Sequence, residues 1–248
     1  MNPAEFRNIA VAEEGLWWYR GMREILFREL DRAKQGRTIE TVLDAGCGTG
    51  ALAEQVSQRY GWRTIGMDAN ATAMPWLRRR AVEAVQGDIT RIPLPDGCCD
   101  ALLSLDVLIH LAPGTESQAM REFGRVVRPG GLLVVRVAAF DWLRSRHSIF
   151  IEEKQRFTRT RLLRLAVDAG WRPLRCTYLN SLALPLAAFK FRVWEPLFDR
   201  TPRSGVGALP PWLNSALLGA LRLEGAWLSR GLTLPAGQSL LLVAERPA

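Results

Sequence analysis

The run over residues 42–50, Val-Leu-Asp-Ala-Gly-Cys-Gly-Thr-Gly, constrains the fold more than any other part of the sequence. A short apolar strand over 41–44 leads into a glycine-rich turn, and a helix is predicted to follow over 51–60. Glycines at such a turn let a ligand approach the backbone closely, because no Cβ stands in the way. The run therefore predicts the first strand–turn–helix unit of an α/β fold that holds a ligand at the turn.

The rest of the chain continues the alternation of strands and helices. Apolar runs predict further strands over 63–67, 82–86, 101–105, 132–137, 174–179 and 239–244. Helical spacing of apolar residues predicts helices over 3–35, 71–80, 116–127 and 158–169. We expect a doubly wound, Rossmann-like, seven-stranded sheet that is mostly parallel, with an antiparallel last strand.

Three segments are expected within the 248 residues. Residues 1–38 form an N-terminal helical cap, and residues 39–179 with 238–248 form the Rossmann-like domain. Residues 180–237 form a helical insertion between the last two strands, which would act as a lid, an interface or a membrane-surface element. Its tryptophans and arginines are Trp194, Trp212, Trp227, Arg192, Arg200, Arg203, Arg222 and Arg230.

The spacing of the glycines indicates the class of ligand. A dinucleotide site has the spacing G-x-G-x-x-G and holds a pyrophosphate. Here the spacing is G-x-G-x-G, and Asp44 stands immediately before it. A carboxylate beside a pyrophosphate would be repelled, whereas beside an ammonium or a sulfonium it is favourable. The turn therefore suits a cationic nucleoside–amino acid better than a dinucleotide.

On this motif the chain resembles the class I S-adenosylmethionine-dependent methyltransferases, in particular their small-molecule, type 11-like branch. The resemblance covers 40–178 and 238–246. It implies S-adenosyl-L-methionine as the methyl donor and S-adenosyl-L-homocysteine as the product. It also implies that the loop of Gly46, Cys47, Gly48 and Gly50 lies against the methionine and ribose portions, and that Asp44 holds the amino group.

Two later strand ends supply carboxylates in register with the first motif. Asp68 ends the second strand, where a carboxylate can accept hydrogen bonds from both ribose hydroxyls. The resemblance implies that Asp88 accepts from the adenine amine, while Met67 and Ile89 cover the ring. The alternative for Asp88 is that it caps a turn.

The segment that leaves the fourth strand, over 104–111, overlooks the methyl group and the acceptor pocket in the family. Ser104 and Leu105 are expected at the cofactor. Nucleic-acid amino-methyltransferases carry a D/N-P-P-aromatic motif here, and this chain does not. The sequence therefore argues against methylation of a nucleic-acid base.

Two weaker stretches resemble a subfamily of uncharacterised bacterial members. Trp17 to Gly21 matches a W-W-Y-R-G motif, which implies a helix that closes over the cofactor through Trp18, Tyr19 and Arg23. The alternative is that these tryptophans are core packing. The stretch 147–158 resembles H-D-x-x-x-x-H-x-x-R-Y-T but carries Ser148, Glu153 and Phe157 at three motif positions, which implies a different substrate or proton path.

The predicted activity is methylation of a small, apolar metabolite or lipid-like acceptor, of a kind made in secondary metabolism, by in-line transfer, with oxygen slightly favoured as the atom methylated. His147, His110 and Asp106 are the candidates for a general base, which an acceptor needs only if it must lose a proton. The alternatives are a catalytically silent cofactor-binding module, an NAD(P)-dependent reductase and an RNA methyltransferase. Only the net charge of +8 favours RNA.

Composition limits the remaining classes. Four cysteines without paired spacing and two histidines predict no metal site and a reducing compartment. No run of 18 apolar residues occurs, and the first residues lack a signal-peptide core. We expect a cytoplasmic monomer or homodimer, with peripheral association at the inner face of a membrane as an alternative.

Overall fold

The structure is a computed structural model that describes residues 4–199, 201–207 and 209–247. Residues 1–3 of the predicted cap, Arg200 and residue 208 of the predicted insertion, and residue 248 lie outside the described residues.

One seven-stranded sheet organises the chain, with the spatial order β3-β2-β1-β4-β5-β7-β6. Its strands are Thr41–Ala45 (β1), Arg63–Asp68 (β2), Glu83–Gln86 (β3), Cys99–Leu105 (β4), Val127–Ala138 (β5), Arg172–Leu179 (β6) and Ser239–Glu245 (β7). Strand β7 is antiparallel to both of its neighbours, and the pairs from β3 to β5 are parallel. The predicted fold class, with its antiparallel last strand, is confirmed.

Helices cover both faces of this sheet. They are Ala4–Ala12 (α1), Trp17–Ala33 (α2), Ala51–Tyr60 (α3), Ala73–Arg79 (α4), Glu116–Val126 (α5), Arg146–Phe150 (α6), Arg159–Asp168 (α7), Leu184–Phe189 (α8), Glu195–Phe198 (α9) and Pro211–Ser229 (α10). Leu108–His110 and Asp141–Leu143 are 3-10 turns, and the π-helical stretch Lys190–Trp194 joins α8 to α9. Within the described residues, no helix has the length and apolar character needed to cross a bilayer.

Two predicted elements differ from the structure. The single helix expected over 3–35 is broken between α1 and α2, where Gly15 follows two glutamates. Strand β5 begins at Val127, earlier than predicted, because the backbones of Gly130 and Gly131 pair with that of Arg246 beyond β7. Thr158 caps α7, since its side chain accepts a hydrogen bond from the Arg161 amide at 3.3 Å.

Each face of the sheet has its own apolar core. Helices α5 and α7 pack on one face through residues such as Phe123 and Leu162. Helices α2 and α10 pack on the other through Ile25, Leu26 and Leu221. The predicted insertion is therefore divided in two, because α10 belongs to a helical layer of the sheet rather than to a separate lid.

The first part of the insertion lies at the carboxyl edge of the sheet. Arg146, which begins α6 after β5, lies 3.5 Å from Glu195 and also pairs with Asp199. The Gly205 amide donates to Nδ1 of His147 at 2.8 Å. These contacts hold Glu195, Asp199 and Gly205 against α6.

Candidate functional site

The glycine-rich turn after β1 combines close packing with open space. Gly46, Gly48 and Gly50 all have positive φ, at 88°, 57° and 76°. A Cβ at Gly46 would lie 2.2 Å from Val107, and one at Gly50 would lie 2.5 Å from Leu77. A Cβ at Gly48 would meet no atom within 4 Å. Two glycines are therefore needed by the protein's own packing, and Gly48 borders the space that a ligand could occupy.

Asp44, on β1 just before this turn, is buried at 2% exposure. Its Oδ2 atom has no hydrogen-bond partner among the described residues. Burial, reinforced by the neighbouring Asp68 and opposed by Arg136, raises the pKa of Asp44 to about 7. A buried carboxylate oxygen without a donor fits a cationic ligand group, such as an ammonium, placed beside Gly48.

Asp68 is held in place by the loop that it faces. Its Oδ2 accepts from the Gly48 amide at 3.0 Å, and its Oδ1 accepts from the Asn70 amide at 2.8 Å. Each carboxylate oxygen can accept more than one hydrogen bond. The side chain thus lies next to the Gly48 backbone, and its contact with the ribose stays a prediction.

The predicted adenine contacts are less uniform. Asp88 caps a turn, since its Oδ1 accepts from both the amide and the hydroxyl of Thr90 at 2.8 Å. This was the alternative reading of Asp88, although its carboxylate retains acceptor capacity. Ile89 and Met67 are both buried in the core cluster beneath α5. Met67 has no exposed surface in the ligand-free protein, and its contact with the adenine ring stays a prediction.

Three further predicted site residues, two on β4 and one in the glycine-rich loop, present no group that could act as a nucleophile or a base. The Ser104 hydroxyl is buried and has no partner among the described residues, and Leu105 packs against the core shared by α2 and α10. Burial raises the pKa of the Cys47 thiol far above its usual range. Cys47 is therefore a neutral loop side chain and not a nucleophile.

An arginine that the sequence analysis did not single out links α2 to the sheet. The guanidinium of Arg136, on β5, donates to Oδ2 of Asp106 at 2.6 and 3.0 Å. Its central carbon lies 4.7 Å from the centre of the Trp18 ring, within cation–π range. Because Asp106 is engaged in this ion pair, it is a poorer candidate for a general base than predicted.

The N-terminal cap places its aromatic residues at this point. Trp18 and Tyr19 contact edge to face, with ring centres 5.0 Å apart. Burial raises the pKa of Tyr19, and Glu5 and Glu13 add to the effect, so its phenol stays neutral. Arg23 instead donates to the backbone carbonyl of Glu13 at 3.3 Å, which places its guanidinium at the break between α1 and α2.

Glu13 is a second residue that the sequence analysis missed as a site residue. It is 4% exposed, and its two oxygens accept from the Thr49 hydroxyl at 2.5 Å and from Arg80 at 2.7 Å. Arg80 also pairs with Glu54 of α3. Glu13 therefore ties the N-terminal cap directly to the glycine-rich loop.

The two histidines differ in which ring nitrogen is engaged. His147 accepts the Gly205 amide on Nδ1, so the neutral ring carries its proton on Nε2. His110 hydrogen-bonds through its ring to the backbone of Glu152, and its buried Nδ1 has no partner among the described residues. Burial lowers the pKa of both histidines. His110 therefore keeps an unused lone pair, whereas in His147 that lone pair is taken.

The departures from the subfamily motif form a structural network. Arg156 donates to Ser148 at 2.9 Å and to Glu153 at 2.6 and 3.1 Å, and all three side chains are buried. Phe157 belongs to the core. These residues anchor α6 to the end of β5, since Arg156 also donates to the Ala139 carbonyl at 3.1 Å. Among the described residues, no three His, Cys, Asp or Glu side chains are grouped to hold a metal ion.

Comparison with known proteins points to one family. A family model described as a methyltransferase domain matches residues 43–135. A probable S-adenosylmethionine-dependent methyltransferase of Mycolicibacterium smegmatis is 33% identical over 127 residues, which cover 50% of this chain and 46% of that protein. The 2-methyl-6-phytyl-1,4-hydroquinone methyltransferase of Synechocystis is 28% identical over 204 residues, which cover 77% of this chain and 58% of that protein. The chain thus spans about half the length of these relatives.

Solved structures share the fold. Geranyl diphosphate C-methyltransferase from Streptomyces coelicolor, in complex with S-adenosyl-L-homocysteine, superposes with a TM-score of 0.59 at 19% identity, covering 89% of this chain and 78% of that chain. At this identity the likeness extends to the architecture alone.

Proposed function

Since this chain carries a class I S-adenosylmethionine-dependent methyltransferase domain, we propose that it methylates a small, apolar metabolite or lipid-like acceptor. One observation carries the cofactor part of this proposal: the buried Oδ2 of Asp44 has no hydrogen-bond partner among the described residues, and it lies on the strand that leads into the glycine-rich turn. Asp68, fixed against the same loop, would hold the ribose.

The acceptor part rests on the surroundings of the carboxyl edge. The relatives named above act on a prenylated quinol and on geranyl diphosphate by their names. In this chain, Trp18, with Tyr19 against it, contacts Arg136 near the end of β5. Glu195, Asp199 and Gly205 of the insertion contact α6, which follows β5. We assign the cap and this part of the insertion to enclosing the acceptor, with α10 supporting α2 from outside the site.

The cofactor, when bound, supplies an electrophilic methyl group that is transferred by in-line displacement. The chain's contribution is then to orient the acceptor, which in favourable cases lowers a barrier by about 7–11 kcal/mol. An oxygen acceptor must also lose its proton. We assign this proton to Nδ1 of His110, because burial keeps the ring neutral and no described residue uses that lone pair.

Peripheral association with the inner face of a membrane belongs to the same proposal, because an apolar acceptor dissolves in the bilayer. Methylation of RNA is favoured only by the net charge of +8.

Calorimetry with S-adenosyl-L-homocysteine tests the proposal, with NADH and NADPH as matched controls. We expect binding of the homocysteine nucleoside and none of either dinucleotide. Transfer of a labelled methyl group from S-adenosyl-L-methionine into prenylated quinols and isoprenoid alcohols should follow. Binding of S-adenosyl-L-homocysteine without methyl transfer to any compound in an organic extract would indicate a catalytically silent cofactor-binding module. Binding of NADH or NADPH would refute the methyltransferase assignment.

A further inference from the structure

The helical segment 182–198, which comprises the residue pair before α8, α8 itself, the π-helical stretch and α9, has its small side chains inside and its large ones outside. Its buried positions are Ala183, Ala187 and Glu195. Seven large apolar side chains on it are between 42% and 68% exposed: Leu182, Leu186, Phe189, Val193, Trp194, Leu197 and Phe198.

The exposed apolar residues are not scattered. Leu186, Phe189, Val193 and Leu197 follow one another at spacings of three and four residues along the continuous helical run 184–198, which places them on one side of it. Leu182 lies in the turn just before this run. The rings of Trp194 and Phe198 contact each other at a tilt of 40°, with ring centres 4.6 Å apart. A contiguous apolar face of this kind marks an interaction surface.

The charges on this segment have one sign at its surface. The exposed charged residues between 182 and 198 are Lys190 and Arg192. Glu195 is buried and lies 3.5 Å from Arg146, and Asp199, just beyond, pairs with Arg146 and Arg203. An apolar helical face flanked by cations, on a chain of net charge +8, is complementary to an anionic lipid surface.

We infer that the segment 182–198 docks the protein on an anionic bilayer, with its apolar side chains in the interface and with Lys190 and Arg192 at the headgroups. The inference rests on the proposed function and deepens it, because Asp199, which directly follows the segment, pairs with Arg146 of α6 at the carboxyl edge of the sheet. Docking there would bring that edge to the membrane, from which an apolar acceptor can enter.

Vesicle sedimentation without cofactor or acceptor tests the docking independently of catalysis. The full chain should sediment with vesicles of phosphatidylglycerol and phosphatidylcholine, and much less with phosphatidylcholine alone. The double variant Phe189→Ser/Leu197→Ser should weaken binding by at least about tenfold, because it removes two immersed side chains. The variant Lys190→Gln/Arg192→Gln should lose about fivefold per charge, and only on the anionic vesicles.

Matched controls lie on α7, which packs on the face of the sheet opposite to α2 and α10. Val167 is 58% exposed, and Arg164 is exposed on the same helix. Val167→Ser and Arg164→Gln should bind vesicles as the unmodified chain does. Equal binding by segment and control variants, or no sedimentation of the unmodified chain, would overturn the inference.

Light scattering tests the other possible occupant of this apolar face, which is a second copy of the chain. A dimer that Phe189→Ser/Leu197→Ser dissociates, together with vesicle binding unchanged by that variant, would replace the membrane with a protein interface and overturn the inference. Sedimentation without methyl transfer would leave the docking intact and count against the proposed function alone.

Discussion

At the scale of single residues, the site is governed by a carboxyl group that titrates near neutrality. Asp44 is buried beside Asp68, and these two effects raise its pKa from 3.8 to about 7 despite Arg136. In the ligand-free protein, ionising Asp44 costs stability, so its contribution to stability is fully present below pH 3.8 and is lost as the pH rises through about 7. Binding of a cation has the opposite preference, because it needs the ionised form.

The affinity for S-adenosyl-L-homocysteine should therefore rise with pH and level off above pH about 7. Below that value, the ionised fraction of Asp44 falls about tenfold per pH unit, and the affinity should follow it. Asp44→Asn should flatten this dependence and weaken binding about 10- to 100-fold, the cost of losing a hydrogen bond to a charged group. Calorimetry at pH 6, 7 and 8 measures both effects.

The exposed Asp168, at the end of α7, provides the matched control. Asp168→Asn makes the same chemical change away from the glycine-rich loop and should keep the pH dependence of the unmodified protein. An affinity of the unmodified protein that is constant from pH 6 to 8 would contradict the role assigned to Asp44.

Substitution of the two histidines should affect kcat to different extents. His110→Gln should lower kcat for an oxygen acceptor by about 10²- to 10⁴-fold, since it removes the group that takes the proton. The affinity for S-adenosyl-L-homocysteine should hardly change. His147→Asn should lower kcat less than about tenfold, because an amide oxygen can still accept the Gly205 amide. Single-turnover kinetics with calorimetry separates these effects, and a larger kcat loss for His147→Asn would reverse the assignment.

At the scale of secondary-structure elements, the contact between α2 and α10 closes one face of the molecule. A Cβ added at Gly21 would lie 2.4 Å from Cδ1 and 2.7 Å from Cβ of Leu221, which is itself fully buried. The two helices can approach this closely only because Gly21 lacks a side chain. The contact is supported by Arg222, which donates to Glu24 across the helix pair at 2.9 and 3.0 Å.

Gly21→Ala should therefore destabilise the protein by about 1–3 kcal/mol through overpacking. Gly219→Ala, on α10, is the matched control, because its Cβ would meet nothing within 4 Å. Alanine favours a helix over glycine by about 1 kcal/mol, so this variant should be equally or more stable. Thermal unfolding should separate the two by several degrees, at about 2–4 °C per kcal/mol for a chain of this size. Equal midpoints would show that α10 does not pack on α2 as described.

Elements whose ends are marked by local residues, such as glycines, could be predicted from the sequence. Contacts between side chains that are far apart in sequence could not. Helix α3 begins and ends as predicted, because Gly50 and Gly61 adopt positive φ at its two ends. The break near Glu13 was missed because apolar spacing continues across it. The partners that bury Glu13, Thr49 and Arg80, lie 36 and 67 residues away in sequence.

The candidate site follows the same rule. The loop glycines and Asp44 form a local pattern, and the structure brings them together with Asp68. Arg136 is the one charged residue in the otherwise apolar run predicted as a strand over 132–137, and the sequence analysis passed over this signal. Its partners Asp106 and Trp18 come from β4 and α2, which no local period relates to β5.

At the scale of the whole molecule, the predicted insertion joins two regions that differ in how many apolar side chains they bury. Helix α10 contributes Leu218, Leu221 and Leu228 to the interior, whereas the segment 182–198 buries few large side chains. Regions with few buried apolar contacts open at lower free energy than core elements. The insertion should therefore respond to ligand and to solvent as two units.

Hydrogen exchange of the full chain, with and without S-adenosyl-L-homocysteine, should resolve these units. We expect slow exchange over β5, β7, α2 and α10, because these elements contribute buried residues to the apolar core beneath α2 and α10. We expect fast exchange over 184–198 in either state, because this segment contributes none to that core. The nucleoside should slow exchange at the glycine-rich loop and at the break between α1 and α2, since Glu13 ties the cap to Thr49. If α10 instead exchanged as fast as 184–198, the whole insertion would be one mobile lid, and α2 would lack the support that positions Trp18 over Arg136.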